Sequence, residues 1–200
     1  KITVIPHGVD HARFSRASGR NIRQRYGISS DIPLLIFHGT LHYWPNTEAV
    51  RFISTRLLPL LLKEYEDIKI LICGLNPPQE YAHPAIVFTG AVEDLEEHIA
   101  AADVCICPLF AGGGTRLKLI EYMSAKKAIV STSKGAEGIP LQGQICIADS
   151  ASTMAFEICA LIKDDGARLQ LAIRAQRYAQ TLDWKIVTDA YIQLYAGLHK

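Results

Sequence analysis

The apolar residues of this chain fall into two rhythms that alternate along its length. Short unbroken runs come first in each pair: Pro33-Leu-Leu-Ile-Phe-His38, Ile68-Lys-Ile-Leu-Ile-Cys73, Ile86-Val-Phe-Thr89, Asp103 to Cys107, Ala128 to Ser131 and Ile145-Cys-Ile147. Runs of this length, closed by Gly or Pro, read as strands buried on both faces. Lys1 to Ile5 reads as a further short β-rich run, stopped by Pro6 and followed by a turn over 7–10. Between the runs the spacing turns helical. Ala49, Val50, Ile53, Leu57, Leu60 and Leu61 mark one helix over 46–62, with Asn46 as its N-cap. Further helices are expected over 18–26, 93–101 and 115–125, and near 151–163, 165–180 and 184–197. Strand–helix alternation with short connections predicts an α/β fold: a doubly wound, Rossmann-like parallel sheet of about six strands, with helices on both faces and further helices at the C-terminal end.

Composition narrows the function classes. The chain has 200 residues, of which 49% are hydrophobic and 20% charged, ordinary values for a globular domain. Lys+Arg number 21 against 20 Asp+Glu, so the net charge of +1 argues against a surface built to grip nucleic acid. No apolar run approaches the ~18 residues of a membrane span. The five cysteines are odd in number and share no repeated spacing, which reads as a reduced, cytoplasmic setting. Cys105 and Cys107 alternate on one strand face, where small buried side chains are the favoured reading over a metal site. The first residue is Lys, and a longer parent protein is expected.

Ligands of such sheets bind outside the carboxyl ends of the strands. Six glycine clusters fall there: Gly39, Gly74, Gly90, Gly112 to Gly114, Gly135 and Gly138. Each alone could serve only as a turn; together they point to a cleft. The run Gly112-Gly-Gly-Thr-Arg-Leu-Lys-Leu-Ile-Glu121 is the strongest feature. It places a pliable loop and two bases, Arg116 and Lys118, at a helix N-terminus, where cations oppose the helix dipole and an anionic ligand would justify them. The alternative is two solvated surface bases. Glu121 follows Lys118 by three residues; spacing alone favours an ion pair between them over a contact to vicinal sugar hydroxyls. Neither the Walker loop nor the dinucleotide fingerprint is present. No nucleophile has a supporting base, and His7 and His38 read as packing or turn residues.

Taken in order, these pieces resemble the C-terminal, donor-binding domain of family 4 glycosyltransferases of the two-domain type B fold. The resemblance is carried by Val4-Ile-Pro-His-Gly-Val-Asp10 with Phe14, Phe37-His-Gly-Thr-Leu41 with Pro45-Asn46, and Leu71-Ile-Cys-Gly74. It continues through Val87-Phe-Thr-Gly-Ala-Val92 with Asp94-Leu95, Pro108 to Glu121, and Ile129-Val-Ser-Thr132 with Gly135-Ala-Glu-Gly-Ile139. It implies a nucleotide diphosphate sugar, UDP- or GDP-linked, as donor substrate, with no cofactor and no metal. It implies that Glu121 binds the nucleotide ribose and that Thr89, Gly90, Ala91 and Val92 lie beside the base. Gly39, Thr40 and the loop of Gly112, Gly113, Gly114 and Thr115 would lie against the diphosphate and sugar.

The family's first loop Glu is Gly113 here, its Arg after the first glycine is Thr40, and its Lys-Gly is replaced around Pro45-Asn46. These departures shift the expected phosphate contacts to Arg116 and Lys118. The resemblance further implies a preceding domain that binds a glycan or lipid-linked acceptor, in glycan or polysaccharide synthesis. The expected location is cytoplasmic, with peripheral contact at the inner membrane face through that domain. Two readings without this transfer stay open: a nucleotide- or metabolite-binding regulatory domain, and an isomerase acting on nucleotide sugars.

Overall fold

The computed structural model describes residues 2–198. Six strands form a single sheet: β1 (Leu34–His38), β2 (Lys69–Cys73), β3 (Ile86–Gly90), β4 (Val104–Cys107), β5 (Ala128–Ser131) and β6 (Cys146–Ile147). Their spatial order is β3-β2-β1-β4-β5-β6, and every pairing is parallel. Strands β1 and β4 are buried at every position, and β2 at all but its first residue. That burial is why these runs lack the alternation of a half-exposed strand. The expected fold class, strand number and strand boundaries hold to within about a residue.

Helices cover both faces. They are α1 (His11–Arg16), α2 (Arg20–Arg25), α3 (Trp44–Phe52), α4 (Leu58–Leu61), α5 (Leu95–Ala101), α6 (Leu117–Ser124), α7 (Ala151–Lys163), α8 (Asp165–Gln180) and α9 (Trp184–Leu198). Helix α7 opens on a capping box, Ser150 and Thr153 each bonding the other's backbone N–H. Asp164 caps α8 through the Ala167 N–H at 2.8 Å.

Three expectations need correction. Lys1 lies outside the described residues, and 2–8 form no strand: Ile2 and Val4 stand exposed, and Val9 makes only an isolated parallel bridge to Asp183. The run has strand propensity, but the chain enters beside the connection between α8 and α9, where the Val9 N–H donates to the Leu182 carbonyl at 2.9 Å and the Trp184 N–H donates to the Val9 carbonyl at 3.1 Å, and it pairs with no strand of the sheet. The turn after it feeds a helix, α1, capped by Asp10 through the Arg13 N–H. The helix expected over 46–62 starts at Trp44, so Asn46 lies inside its first turn rather than capping it. That helix is also broken. Pro59 has no N–H to return to the preceding turn, and the chain opens into one π turn over Ile53–Leu57 before α4 resumes.

Candidate functional site

The strand order reverses direction between β1 and β4, so the loops leaving these neighbours run to opposite sides and leave a crevice at their carboxyl ends. Three strand ends on one side of that crevice carry glycine. A Cβ at Gly74 would lie 1.9 Å from the Gly39 carbonyl oxygen, and the Gly74 N–H donates to the Gly90 carbonyl at 2.8 Å. With no side chains between them, the ends of β1, β2 and β3 close into a backbone floor. Over it opens a 280 Å³ cavity lined by His38, Gly39, Thr40, Cys73, Gly74, Leu75, Ala91, Val92 and Leu95. Four of the thirteen sequence-predicted positions, Gly39, Thr40, Ala91 and Val92, line it directly. Gly90 closes β3 just beneath, where the Thr89 hydroxyl donates to the Gly90 carbonyl at 2.9 Å.

The other wall is the β4–α6 loop and the start of α6. Gly112 and Gly114 adopt positive φ, 92° and 86°, which only glycine takes without strain. The loop leans on the start of α3: a Cβ at Gly112 would meet Pro45 Cγ at 3.3 Å and the Tyr43 hydroxyl at 3.4 Å. Gly113, Gly114 and Thr115 are exposed at its tip. Arg116 is the N-cap of α6 and is buried. Its guanidinium turns back into the loop, donating to the carbonyls of Gly113 at 3.1 Å and Gly112 at 3.0 Å. Arg116 therefore shapes the loop through its carbonyls, and its Nε is buried without a partner.

Lys118, two residues on, points the other way. Its ammonium lies 2.9 Å from Asn46 Oδ1 and 4.1 Å above the centre of the Phe37 ring. A Cβ at Gly39 would come within 3.1 Å of that nitrogen, so the cation rests against the bare end of β1. Burial lowers the Lys118 pKa to about 8, and the Arg116 charge presses the same way. No carboxylate pairs with Lys118 among the described residues; the ion pair with Glu121 that spacing favoured is not formed.

Glu121 instead stands one turn further along α6 with Oε2 3.2 Å from His38 Nε2. His38 ends β1, buried, its N–H donating to the Tyr122 hydroxyl at 3.2 Å and its ring edge-on to Tyr122. Burial lowers the His38 pKa, against the opposing pull of Glu121. His38 is thus a packing residue against Tyr122, as one of the two expected readings had it, and it also lines the cavity beside Glu121. Gly74, one of the glycines that point to the cleft, lines the cavity, and so does Cys73; Cys73 and Asn46, which is tied to Lys118, carry no sequence signal for the site. Burial raises the Cys73 thiol to about 11, which keeps it neutral. All five cysteines are free, and no cluster of three or more His, Cys, Asp or Glu suited to a metal ion occurs among the described residues.

The family model for glycosyl transferases group 1 matches residues 32–164, about two thirds of the chain and all of this site. The chain belongs to that family. Among glycosyl transferases of group 1 and their relatives, it is 28% identical over 203 residues to a phosphatidyl-myo-inositol mannosyltransferase of Mycolicibacterium smegmatis. The alignment covers 96% of this chain and 50% of that protein. The chain thus spans about half the length of the curated relatives it matches. In fold it is similar to a glycosyltransferase from Rickettsia africae, with a TM-score of 0.83 at 16% identity over 100% of this chain and 58% of that one. HepE of Anabaena, solved in complex with UDP and glucose, gives 0.78 at 19% identity, covering 99% and 56%. Both structural likenesses establish the shared α/β fold. No helix among the described residues is long and apolar enough to cross a membrane.

Proposed function

We propose that this chain is the donor-binding half of an enzyme that transfers a sugar from a nucleotide diphosphate sugar, UDP- or GDP-linked, to an acceptor in glycan or polysaccharide synthesis. The observation that carries the reading is one cation without a carboxylate partner, Lys118, held at a side-chain-free strand end beside a glycine loop and a helix N-terminus. A diphosphate supplies the missing negative charge. The Gly113 and Gly114 N–H groups at the loop tip add donors, and Arg116 holds the loop that presents them. As the bond between the sugar's anomeric carbon and the β-phosphate oxygen breaks, charge grows on that oxygen, and a fixed ammonium in a partly dry site stabilises it without a metal.

Glu121, turned away from Lys118, takes the ribose hydroxyls, and the Thr89–Val92 turn takes the base. The HepE complex with UDP and glucose supports a donor of this class. The acceptor falls to a preceding domain, in keeping with the greater length of the relatives and with the apolar surface left open by Ile186, Ile192 and Tyr195 of α9 and by Ile2 and Val4. A cytoplasmic enzyme meeting a glycan or lipid-linked acceptor at the inner membrane face fits this arrangement.

The test is binding of a panel of UDP- and GDP-sugars to the full-length protein, wild type and Lys118→Ala. One nucleotide family should bind. The substitution should weaken the diphosphate by about 1–3 kcal/mol, the scale of a charge-assisted hydrogen bond, and leave the matching nucleoside unchanged. Equal loss for both would remove Lys118 from the phosphate site. Binding without any sugar transfer by the intact enzyme would favour the regulatory reading.

A further inference from the structure

The geometry points to Asn46 as the residue that positions the Lys118 ammonium for the diphosphate, a neutral clamp that aims the cation without cancelling its charge. The inference rests on the donor-binding reading above. Asn46 lies in the first turn of α3 and is buried. A buried carboxamide must find partners at both ends. Its Nδ2 donates to the Thr40 carbonyl at 2.9 Å, and its Oδ1 accepts from Lys118 Nζ at 2.9 Å. The orientation is forced, because a carbonyl can only accept and an ammonium can only donate. The side chain therefore ties the turn after β1 to the first turn of α6, across the point where the sheet reverses.

That tie is not needed to hold the turn. Thr47, the next residue, already bonds the same turn through its hydroxyl to the Leu41 carbonyl at 2.6 Å. What Asn46 alone supplies is an acceptor for Lys118. Of the three ammonium donors, Asn46 takes one and the Phe37 face lies beneath another. The third remains for a ligand at the Gly39 end of the strand. An aspartate at this position would hold the cation more tightly, and would also neutralise it and repel a diphosphate. An amide and an aromatic face hold it and leave its field intact.

The groups facing Lys118 are His38 from β1, Cys107 from β4, Arg116 from the loop ahead of α6, and Glu121 from the next turn of α6. Burial pushes His38 below its usual range and Cys107 above its own, which favours the neutral form of each between about pH 7 and 9.5. Lys118 is thus the facing group that changes charge in that window, and diphosphate affinity should fall as it loses its proton.

The experiment titrates UDP and GDP into the full-length protein across about pH 7 to 9.5, for wild type, Asn46→Leu and Asn46→Asp. Asn46→Leu keeps the volume and excludes water but removes the acceptor. Its midpoint should drop by about one pH unit, the worth of one hydrogen bond to a charged group. Asn46→Asp should raise the midpoint by a similar amount and weaken diphosphate binding at neutral pH at least tenfold. Uridine or guanosine affinity should not move in either. Should one variant fail to fold, the other decides alone. Midpoints that coincide with wild type, whatever happens to melting temperature, would reduce Asn46 to a brace of the turn and overturn the inference. If wild type binds neither nucleotide, the donor-binding reading itself falls, and this inference with it.

Discussion

Replacing Lys118 with methionine should make the protein more stable and less able to bind a diphosphate. The substitution keeps the length and apolar stem of the side chain and deletes the charge. Burial has lowered the Lys118 pKa from 10.5 to about 8. Between those values the unfolded chain holds a proton that the folded chain has lost, so stability rises with pH across the window. Below about pH 8 both states are protonated and the cost of the buried cation is present in full. At about 1.4 kcal/mol per unit that cost is a little over ~3 kcal/mol at neutral pH. Against it stands Asn46 Oδ1, which loses its partner at a cost of about 1–2 kcal/mol. The net gain of about 1–2 kcal/mol should raise the melting temperature by about 3–6 °C in a domain of this size. Calorimetry without ligand at neutral pH would read the gain, and a second scan near pH 10 should find most of it gone, because the wild-type amine is then neutral as well. Isothermal titration with UDP, GDP and their nucleosides would show diphosphate binding lost and nucleoside binding kept. A methionine variant that melts lower than wild type at neutral pH, with the gap unaltered at high pH, would refute the reasoning. The ammonium would then support the fold rather than strain it, and its claim to a ligand would weaken.

Two further outcomes follow from the same geometry. Glu121→Gln keeps the shape beside His38 but removes the charge and half the acceptor capacity; dissociation constants for the ribonucleotide and its 2′-deoxy analogue should converge, and an unchanged ribose preference would remove Glu121 from the ribose contact. Gly74→Ala drives a Cβ to 1.9 Å from the Gly39 carbonyl oxygen and should cost about 2–4 kcal/mol in denaturant unfolding, against about 1 kcal/mol for Gly90→Ala, where the added methyl meets nothing within 4 Å and only the positive φ opposes it; equal costs would mean the strand ends are not closed backbone to backbone.

How much of this was legible in the sequence depends on what each residue answers to. The four inner strands could be read because continuous apolar runs of four to six residues serve a single purpose, burial on both faces of a parallel sheet; the edge strands β3 and β6 are only half-buried. Lys1 to Ile5 has a similar composition, but propensity does not say where a segment lies, and the residues after it pair with the connection between α8 and α9 rather than with a strand of the sheet. Asn46 misled in a different way. An Asn ahead of an apolar helical run looks like a cap, yet Pro45 in the first turn moves the helix start back to Trp44 and turns the Asn inward.

The site shows the same division. Glycines at strand ends announce a close approach of backbones, so Gly39, Gly74 and Gly90 could be placed without coordinates. Which of two bases in one short loop is left facing the crevice could not. Arg116 and Lys118 are two residues apart and carry the same charge, but the helix begins between them. The residue before that start falls back on the loop's own carbonyls, and the one after it reaches across the crevice to α3. The partner that decides this, Asn46, is 72 residues away in sequence. A helix N-terminus thus separates two neighbouring cations into different tasks, one folding the loop and one left facing the cleft. The division is visible only once β1 and β4 lie side by side.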